Sequence, residues 1–247
     1  MNDYCVTFLI GATNESTALK KTVEGILDTC NRQDIAKIMI VKSQSASKEC
    51  NQTIEKLTNL YPHFVEGLEQ TRPFVGGSIR DGADRVHSSH FLVVPADLAI
   101  ELDVYRRMME KEKLHPEGIV KVSRWLEKDS FENYASTRKF FNKCAQYFLR
   151  VLYHTQLTDL TIPVLIMPTK VYRSIRWREL NFPFLTEIVL CPLRLGIEIA
   201  EIPAKCYGRT EGKSNNSALQ TMLYLKTALR VRFTKPENLL KQTERKK

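Results

Sequence analysis

Residues 90–100 read HFLVVPADLAI and predict a buried strand that ends at an acid. Four apolar residues are followed by Pro95, Ala96 and Asp97. A short apolar run closed by a proline is typical of a strand in the interior of a sheet. We therefore expect this strand to deliver one carboxylate to its carboxyl end, where α/β sheets bind ligands.

Apolar strands alternate with amphipathic helices on both sides of this stretch. This alternation predicts an α/β protein with a mainly parallel central sheet, Rossmann-like, and helices on both faces. Ser16 and Ser47 are expected to cap the first two helices, and a third begins at Gly76 and Gly77. The predicted strands are residues 4–10, 37–41, 64–68, 91–94, 118–122, 164–167 and 197–202. Further helices are predicted at residues 131–153 and 184–195.

The net charge of +9 is unevenly placed along the chain. From Lys213 to the end there are nine Lys or Arg against two Glu, so the basicity belongs to a tail. Apolar residues in the tail approximate helical spacing, which fits peripheral contact with an anionic membrane surface. The alternative is that this apolar stripe packs on the domain. The stripe consists of Leu219, Met222, Leu223 and Leu229.

The composition excludes several classes of protein. The tail lacks interleaved aromatic residues, so no specific nucleic-acid partner is expected. No Cys pair has the C-x-x-C spacing of a zinc site. The first apolar run is too short for an export signal, which favours a cytoplasmic protein with reduced thiols. Contact of the basic tail with a membrane would place it peripherally at the inner membrane face.

Six segments, in order, resemble family-2 glycosyltransferases, in particular those similar to dolichyl-phosphate-mannose synthase. FLIGATNESTAL resembles the opening strand and turn, and IMIVKSQSAS stands where the family has V-D-D-G-S-T-D. VGGSIRDGADRVHSSHFLVVPADL resembles the segment that ends in D-A-D-L, and VSRW stands at the Ser-Arg position. LTDLTIPVLIMPTKVYRSI and FPFLTEIVLCPLRLGIEIAEIPAKCYGRTEGKS resemble the two closing motifs. The resemblance covers residues 4–214.

The resemblance implies a GT-A fold over residues 1–214, followed by a basic amphipathic C-terminal helix and tail over residues 215–247. It implies a nucleotide-diphosphate sugar as donor and a Mg²⁺ or Mn²⁺ ion. The chain departs from the family pattern at Lys42 and Ser43, which replace paired acids, and at Pro95, which replaces the first acid of D-A-D. The metal site therefore keeps one candidate ligand, Asp97.

The resemblance also assigns roles to the residues that match it. Contact with the donor is implied for Glu15, Lys42, Asp97, Arg209 and Lys213. Catalytic roles are implied for Arg124 at the phosphates and for Asp159 and Glu187 near the acceptor. For each there is a structural alternative: Glu15 closes a capped turn, Asp97 caps the helix after it, Asp159 caps a turn, Glu187 pairs with a cation, and the basic residues are solvated.

Two functions remain open at this point. The first is an active hexosyltransferase that acts on a glycan or a polyprenyl-phosphate acceptor in surface-polysaccharide or glycolipid assembly. A sugar hydroxyl needs a base to remove its proton, whereas a lipid phosphate is already anionic and needs none. The alternative is a catalytically degenerate relative that binds a nucleotide sugar or a partner protein without turnover.

Overall fold

The computed structural model describes residues 4–128, 130–132, 136–207 and 218–242, without the side chains of residues 137, 138 and 218–221. The strands in these residues are β1 Val6–Ala12, β2 Ile35–Lys42, β3 Val65–Glu69, β4 His90–Pro95, β5 Ile119–Ser123, β6 Leu165–Pro168 and β7 Ile199–Pro203. They form one central sheet in the order β3-β2-β1-β4-β6-β5-β7. The predicted α/β class is confirmed.

Helices cover both faces of the sheet. The first two begin after the predicted serines. The Oγ atom of Ser47 accepts a hydrogen bond from the N–H of Cys50 at 3.2 Å, as predicted, whereas the side chain of Ser16 makes no capping hydrogen bond to α1. The helices are α1 Thr17–Thr29, α2 Lys48–Leu60, α3 Phe74–Asp84, α4 Asp103–Lys113, α5 Ser136–Tyr153, α6 Thr169–Ser174, α7 Phe184–Arg194, α8 Ala218–Phe233 and α9 Pro236–Leu239. None of the helices in the described part of the chain is long and apolar enough to cross a membrane.

The strand directions decide which loops meet at one edge. Strands β3, β2, β1 and β4 are parallel neighbours. Strand β6 runs antiparallel to both β4 and β5, so β5 runs in the same direction as β4. The segment that leads into β6 therefore lies at the same edge as the carboxyl ends of the parallel strands. We call this the carboxyl edge.

Two apolar layers sandwich the sheet, because side chains alternate between its faces along each strand. Phe8 and Ile10 of β1 point into the layer formed with α1, α2 and α4. Leu9, between them, points into the layer formed with α3, α6, α7 and α8. All three side chains are almost completely buried. The second layer also receives Leu149 of α5.

The glycine pair in α3 permits a close contact at the carboxyl edge. A Cβ on Gly76 would lie 2.5 Å from the Cβ of Phe184, and one on Gly77 would lie 2.6 Å from the carbonyl oxygen of Arg72. The N–H of Gly77 donates to the carbonyl of Leu180 at 2.9 Å. The absence of side chains therefore lets the first turn of α3 pack directly on the chain that enters α7.

The structure corrects two predicted elements. The helix predicted from residue 131 begins at Ser136, because Phe131 instead forms a bridge with Cys206. The predicted tail stripe does not form the buried face of α8. Met222 and Leu229 are exposed, whereas Thr227, Ala228 and Val231 are buried. The predicted domain boundary after Ser214 lies outside the described residues.

Candidate active site

Glu15 and Lys42 lie at neighbouring strand ends of the carboxyl edge. Ala12, the last residue of β1, pairs in register with Lys42, the last residue of β2. The Oε2 atom of Glu15 accepts hydrogen bonds from the N–H groups of Thr13 at 2.9 Å and Asn14 at 3.1 Å. Glu15 thus closes its own turn, as the structural alternative predicted, and this turn fixes the loop that follows β1.

Lys42 reaches across to the next strand. Its ammonium forms an ion pair with Glu69, the last residue of β3. The Glu69 side chain is 70% exposed, so this pair lies at the surface. A carboxylate is therefore present beside Lys42, one strand away from the position at which the family has its acids.

Asp97 follows β4, whose Pro95 pairs with Gly11 of β1. The residue is only 8% exposed, and its Oδ1 atom accepts a hydrogen bond from the N–H of Ala99 at 3.2 Å. Asp97 does not cap α4, which begins six residues later at Asp103. Leu98 has a φ of 54°, in the left-handed region that side chains seldom adopt. The turn therefore holds the Asp97 carboxylate in a fixed place beside β1.

Arg124 and Asp159 form a two-pronged ion pair after β5. The Arg124 Nε atom donates to Asp159 Oδ2 at 2.6 Å, and its Nη2 atom donates to Oδ1 at 2.9 Å. Asp159 is completely buried. Burial raises the pKa of the Asp159 carboxyl, but the Arg124 guanidinium outweighs it and holds that pKa well below its usual range. Asp159 is therefore a fixed anion that orients Arg124.

A second buried pair lies beneath the first. Lys121 of β5 is completely buried, and its ammonium donates to the carbonyl oxygens of Asp159 and, at 2.9 Å, Val122. It lies 3.6 Å from the Glu201 carboxylate of β7. Glu201 also accepts hydrogen bonds from the N–H groups of Thr158 at 2.6 Å and Asp159 at 2.9 Å. The loop that carries Asp159 is thus bonded to side chains of two strands, Lys121 of β5 and Glu201 of β7.

Burial acts on the buried lysine as well. It lowers the pKa of Lys121 below its usual value, while Asp159 and Glu201 oppose this change. Gln146 of α5 completes the network, since its Nε2 atom donates to Asp159 Oδ1 at 3.2 Å and its Oε1 atom accepts from the N–H of Leu160 at 2.7 Å. We call Lys121, Arg124, Gln146, Asp159 and Glu201 the buried network.

One chain segment joins the Asp97 turn to the Arg124 region. The backbone of Cys206 forms isolated β-bridges with Ile100 and with Phe131. The N–H of Tyr207 donates to the carbonyl of Ala99 at 2.9 Å. The predicted phosphate ligands Arg209 and Lys213 come a few residues later in the chain and lie outside the described residues.

Glu187 lies apart from the buried network. It is completely buried in the first turn of α7. Its Oε2 atom accepts from the N–H groups of Arg178 at 3.1 Å and Glu179 at 2.9 Å, and its Oε1 atom accepts from Arg230 of α8 at 2.5 Å. These contacts match the structural alternative, in which Glu187 pairs with a cation and ties α7 to α8.

Sequence reasoning did not select Lys121, Gln146 or Glu201. The signal for Lys121 was present, because it is the one charged residue in the apolar run 118–122. Glu201 gave the same signal, because it is the one charged residue in the run 199–203, whereas Gln146, between Ala145 and Tyr147, gave none. The contacts that make all three residues important follow only from long-range pairing.

A cavity of about 730 Å³ lies at the opposite edge of the sheet, lined in part by Tyr4, His90 and Arg173. His90 begins β4, so this cavity is at the amino end of that strand. The side chain of Arg173 donates to the carbonyl of Val86 at 2.6 Å, and His90 lies within hydrogen-bonding distance of Ser89 and Pro116. The carboxyl edge, with its fixed charges, is the better candidate for the site.

Comparison with known families decides the classification. Residues 7–176 match the sequence pattern of Glycosyl transferase family 2. The chain belongs to this family. The predicted membership is confirmed, and the chain is a glycosyltransferase by family. No curated protein matches the chain.

Solved structures show the same fold. Glucosyl-3-phosphoglycerate synthase from Mycobacterium tuberculosis with Mn²⁺, UDP and phosphoglyceric acid superposes with a TM-score of 0.67 and 12% identity, over 94% of this chain and 80% of that one. Its complex with Mg²⁺ and UDP gives a TM-score of 0.66 and 12% identity, over 92% and 79% of the two chains. At this identity, the similarity of this glycosyltransferase to that enzyme concerns the fold.

Proposed function

We propose that this family-2 glycosyltransferase transfers a hexose from a nucleoside-diphosphate sugar to a polyprenyl phosphate, in surface-polysaccharide or glycolipid assembly. The observation that carries the proposal is that the Asp97 turn and the Arg124–Asp159 pair lie at the same edge of the sheet and are joined there by the segment that contains Cys206. A donor diphosphate placed there has a carboxylate on one side and a guanidinium on the other. Charge on the leaving diphosphate is best stabilised by groups that are already oriented.

Asp97 is the proposed ligand of a divalent metal ion. Within the described ranges, no group of three His, Cys, Asp or Glu side chains is placed to hold a metal by itself. Mg²⁺ and, by analogy, Mn²⁺ fit such a site, because Mg²⁺ often binds through one or two carboxylates together with substrate phosphates. A bound ion would neutralise charge on the diphosphate. The Mn²⁺ and Mg²⁺ complexes of the similar synthase support this proposal.

Arg124 is the proposed contact to the donor phosphates, with Arg209 and Lys213 as further proposed contacts. The side chain of Arg124 is 13% exposed, whereas Asp159 behind it is completely buried. An arginine held by a bidentate pair presents its guanidinium in one orientation. Asp159 therefore acts as a positioning residue for Arg124 in this proposal.

Glu15 and Lys42 form the proposed nucleoside side of the site. Glu15 follows β1 and Lys42 ends β2, and β1 lies between β2 and the strand β4 that leads to the Asp97 turn. A lysine only donates hydrogen bonds, whereas the acid that the family has at this place accepts them. We therefore expect the donor base or ribose to be bound through the Lys42–Glu69 pair in place of a carboxylate from β2.

The choice of acceptor follows from the two buried carboxylates. Asp159 and Glu187 have no exposed surface, and both are bound to cations and backbone N–H groups. A general base must reach the proton that it removes. Neither carboxylate is placed to do so, which favours an acceptor that is already anionic, such as a polyprenyl phosphate, over a neutral glycan.

Calorimetry with UDP- and GDP-sugars, with and without Mn²⁺, tests the donor site. Asp97→Asn keeps the oxygen that accepts the Ala99 N–H and removes the charge. We expect the wild type to bind one of the donors, with Mn²⁺ raising the affinity by about tenfold or more, and the variant to lose this gain. Asp103→Asn, on the exposed start of α4, is the matched control. Equal affinities of Asp97→Asn and wild type in Mn²⁺ would exclude the ligand role.

Turnover separates transfer from simple binding. Nucleoside diphosphate released in the presence of a short-chain polyprenyl phosphate should exceed the release with a neutral oligosaccharide. Donor binding without release in any acceptor would instead identify the degenerate binding module. The loss of the family's acids at Lys42, Ser43 and Pro95 is the feature that favours that second function.

A further inference from the structure

Helices α5 and α8 expose an unusual amount of apolar surface. Fifteen large apolar side chains are exposed in the described part of the chain, and nine of them belong to these two helices. Soluble proteins seldom leave such clusters uncovered unless something binds there. We call the nine residues the apolar surface. They are Phe140, Phe141, Tyr147, Phe148, Val151, Met222, Leu225, Leu229 and Phe233.

The two exposed faces lie on one side of the molecule. The opposite face of each helix packs into the second apolar layer, through Leu149 in α5 and through Ala228 and Val231 in α8. The helices are also bonded to each other, since the hydroxyl of Tyr153 donates to the carbonyl of Ala228 at 2.7 Å. Because both helices turn their inner faces to the same layer, their outer faces point away from the sheet together.

The charged residues of these two helices all carry positive charge. Helix α5 contains four Lys or Arg and α8 contains three, and neither contains an acidic residue. This is a large part of the net charge of +9. Arg230 is neutralised by Glu179 and Glu187, whereas Lys143 and Lys226 are exposed. The apolar surface is thus flanked by positive charge.

We propose that the apolar surface docks on an anionic lipid bilayer. Aromatic and aliphatic side chains flanked by lysines are the pattern of helices that lie in a membrane interface. A second copy of the chain fits less well, because a two-fold contact through the same face would place these basic helices against each other. This contact is independent of the donor chemistry and extends the predicted role of the basic tail to α5.

The surface lies directly behind the buried network. Gln146, on the inner face of α5, donates to Asp159, and Asn142 accepts a hydrogen bond from the indole of Trp125 at 3.3 Å. Phe141 and Tyr147 are on the outer face of the same turns, each 71% exposed. Docking therefore holds the candidate site next to the bilayer.

Sedimentation with vesicles tests the proposal without any donor or acceptor. Full-length protein should sediment with vesicles of phosphatidylcholine and phosphatidylglycerol in a 3:1 ratio, and more weakly with phosphatidylcholine alone or at high salt. Phe141→Glu/Tyr147→Glu should lower the partition coefficient by about tenfold or more. The matched control is Leu60→Glu/Leu114→Glu, which changes two similarly exposed residues at the C-terminal ends of α2 and α4, which pack on the other layer. Circular dichroism confirms that each variant is folded.

Cys144 supplies a second readout inside the surface. It is the exposed cysteine of α5, whereas Cys30, Cys50, Cys191 and Cys206 are buried. Anionic vesicles should slow its reaction with a charged maleimide several-fold. Equal sedimentation of the double variant and the wild type, or labelling of Cys144 that vesicles do not change, would overturn the proposal. So would a dimer in solution that Phe141→Glu/Tyr147→Glu dissociates, because the surface would then belong to a second copy.

Discussion

The two halves of the sheet treat charged residues in opposite ways. At the ends of β1, β2 and β3, Glu15 bonds to its own turn and Lys42 pairs with an exposed Glu69. Around β5, β6 and β7, charged side chains are buried and bonded to one another across long stretches of sequence. The charged side chains named in the first half are accessible to a ligand. Those in the second half are buried and fix the orientation of Arg124.

This difference has energetic consequences. An exposed pair contributes little to stability, because water solvates both partners almost as well as they solvate each other. A buried charge that loses its partner is strongly unfavourable, because neither water nor protein then solvates it. Substitutions in the two halves should therefore differ in how much they lower the free energy of unfolding. They should also differ in the property that they mainly change, which is ligand binding in one half and stability in the other.

Asp159→Asn should lower the stability of the protein more than any other substitution considered below. The variant keeps the shape of the side chain but leaves Arg124 without its buried anion, while Lys121 keeps its pair with Glu201. We expect a loss of about 3 kcal/mol in the free energy of unfolding, measured by urea denaturation. The exposed Glu66→Gln on β3 is the control and should stay within about 0.5 kcal/mol of the wild type. A comparably small effect for Asp159→Asn would remove the distinction between the halves.

Acid should destabilise the protein through its buried carboxylates, of which Asp159 is the most strongly affected. The native pKa of Asp159 lies below its unfolded value of about 3.9, so its contribution is fully present above that value and is lost as the pH falls. We expect the free energy of unfolding to decrease below about pH 5. Asp81, whose pKa is lowered by the N–H groups of Arg72 and Thr71 against the effect of its burial, acts in the same range.

The variant Asp159→Asn distinguishes these two contributions. Its unfolding free energy should depend less steeply on pH in this range than that of the wild type, with the remaining slope due to Asp81 and other acids. Parallel curves for the two proteins would mean that the Arg124–Asp159 pair does not hold the carboxyl in its ionised form.

The Lys42–Glu69 pair should have the smallest effect on stability. A double-mutant cycle with Lys42→Ala and Glu69→Ala is expected to give a coupling energy below about 1 kcal/mol. The same variants should weaken donor binding in calorimetry, because the proposed nucleoside contacts are lost. A large coupling energy with unchanged donor binding would make this pair structural, like those around β5.

Much of the fold could be predicted from local patterns in the sequence. Each predicted strand has an observed counterpart within a few residues, because burial on both sides of a parallel sheet requires continuous apolar runs. The position of Asp97 after β4 followed from the same rule. The resemblance to family 2 supplied Arg124 and Asp159 as separate matches.

What the sequence determined by itself is the set of elements and the carboxyl ends at which Glu15, Lys42, Asp97 and Arg124 stand. Only the tertiary structure decided that β6 runs antiparallel, which carries Asp159 to the same edge and into its pair with Arg124. It also decided that Lys121 is buried and that the outer face of α5 is apolar surface. The physical reason is that side-chain periodicity is local, whereas the partner of a buried charge is set by how distant segments pack.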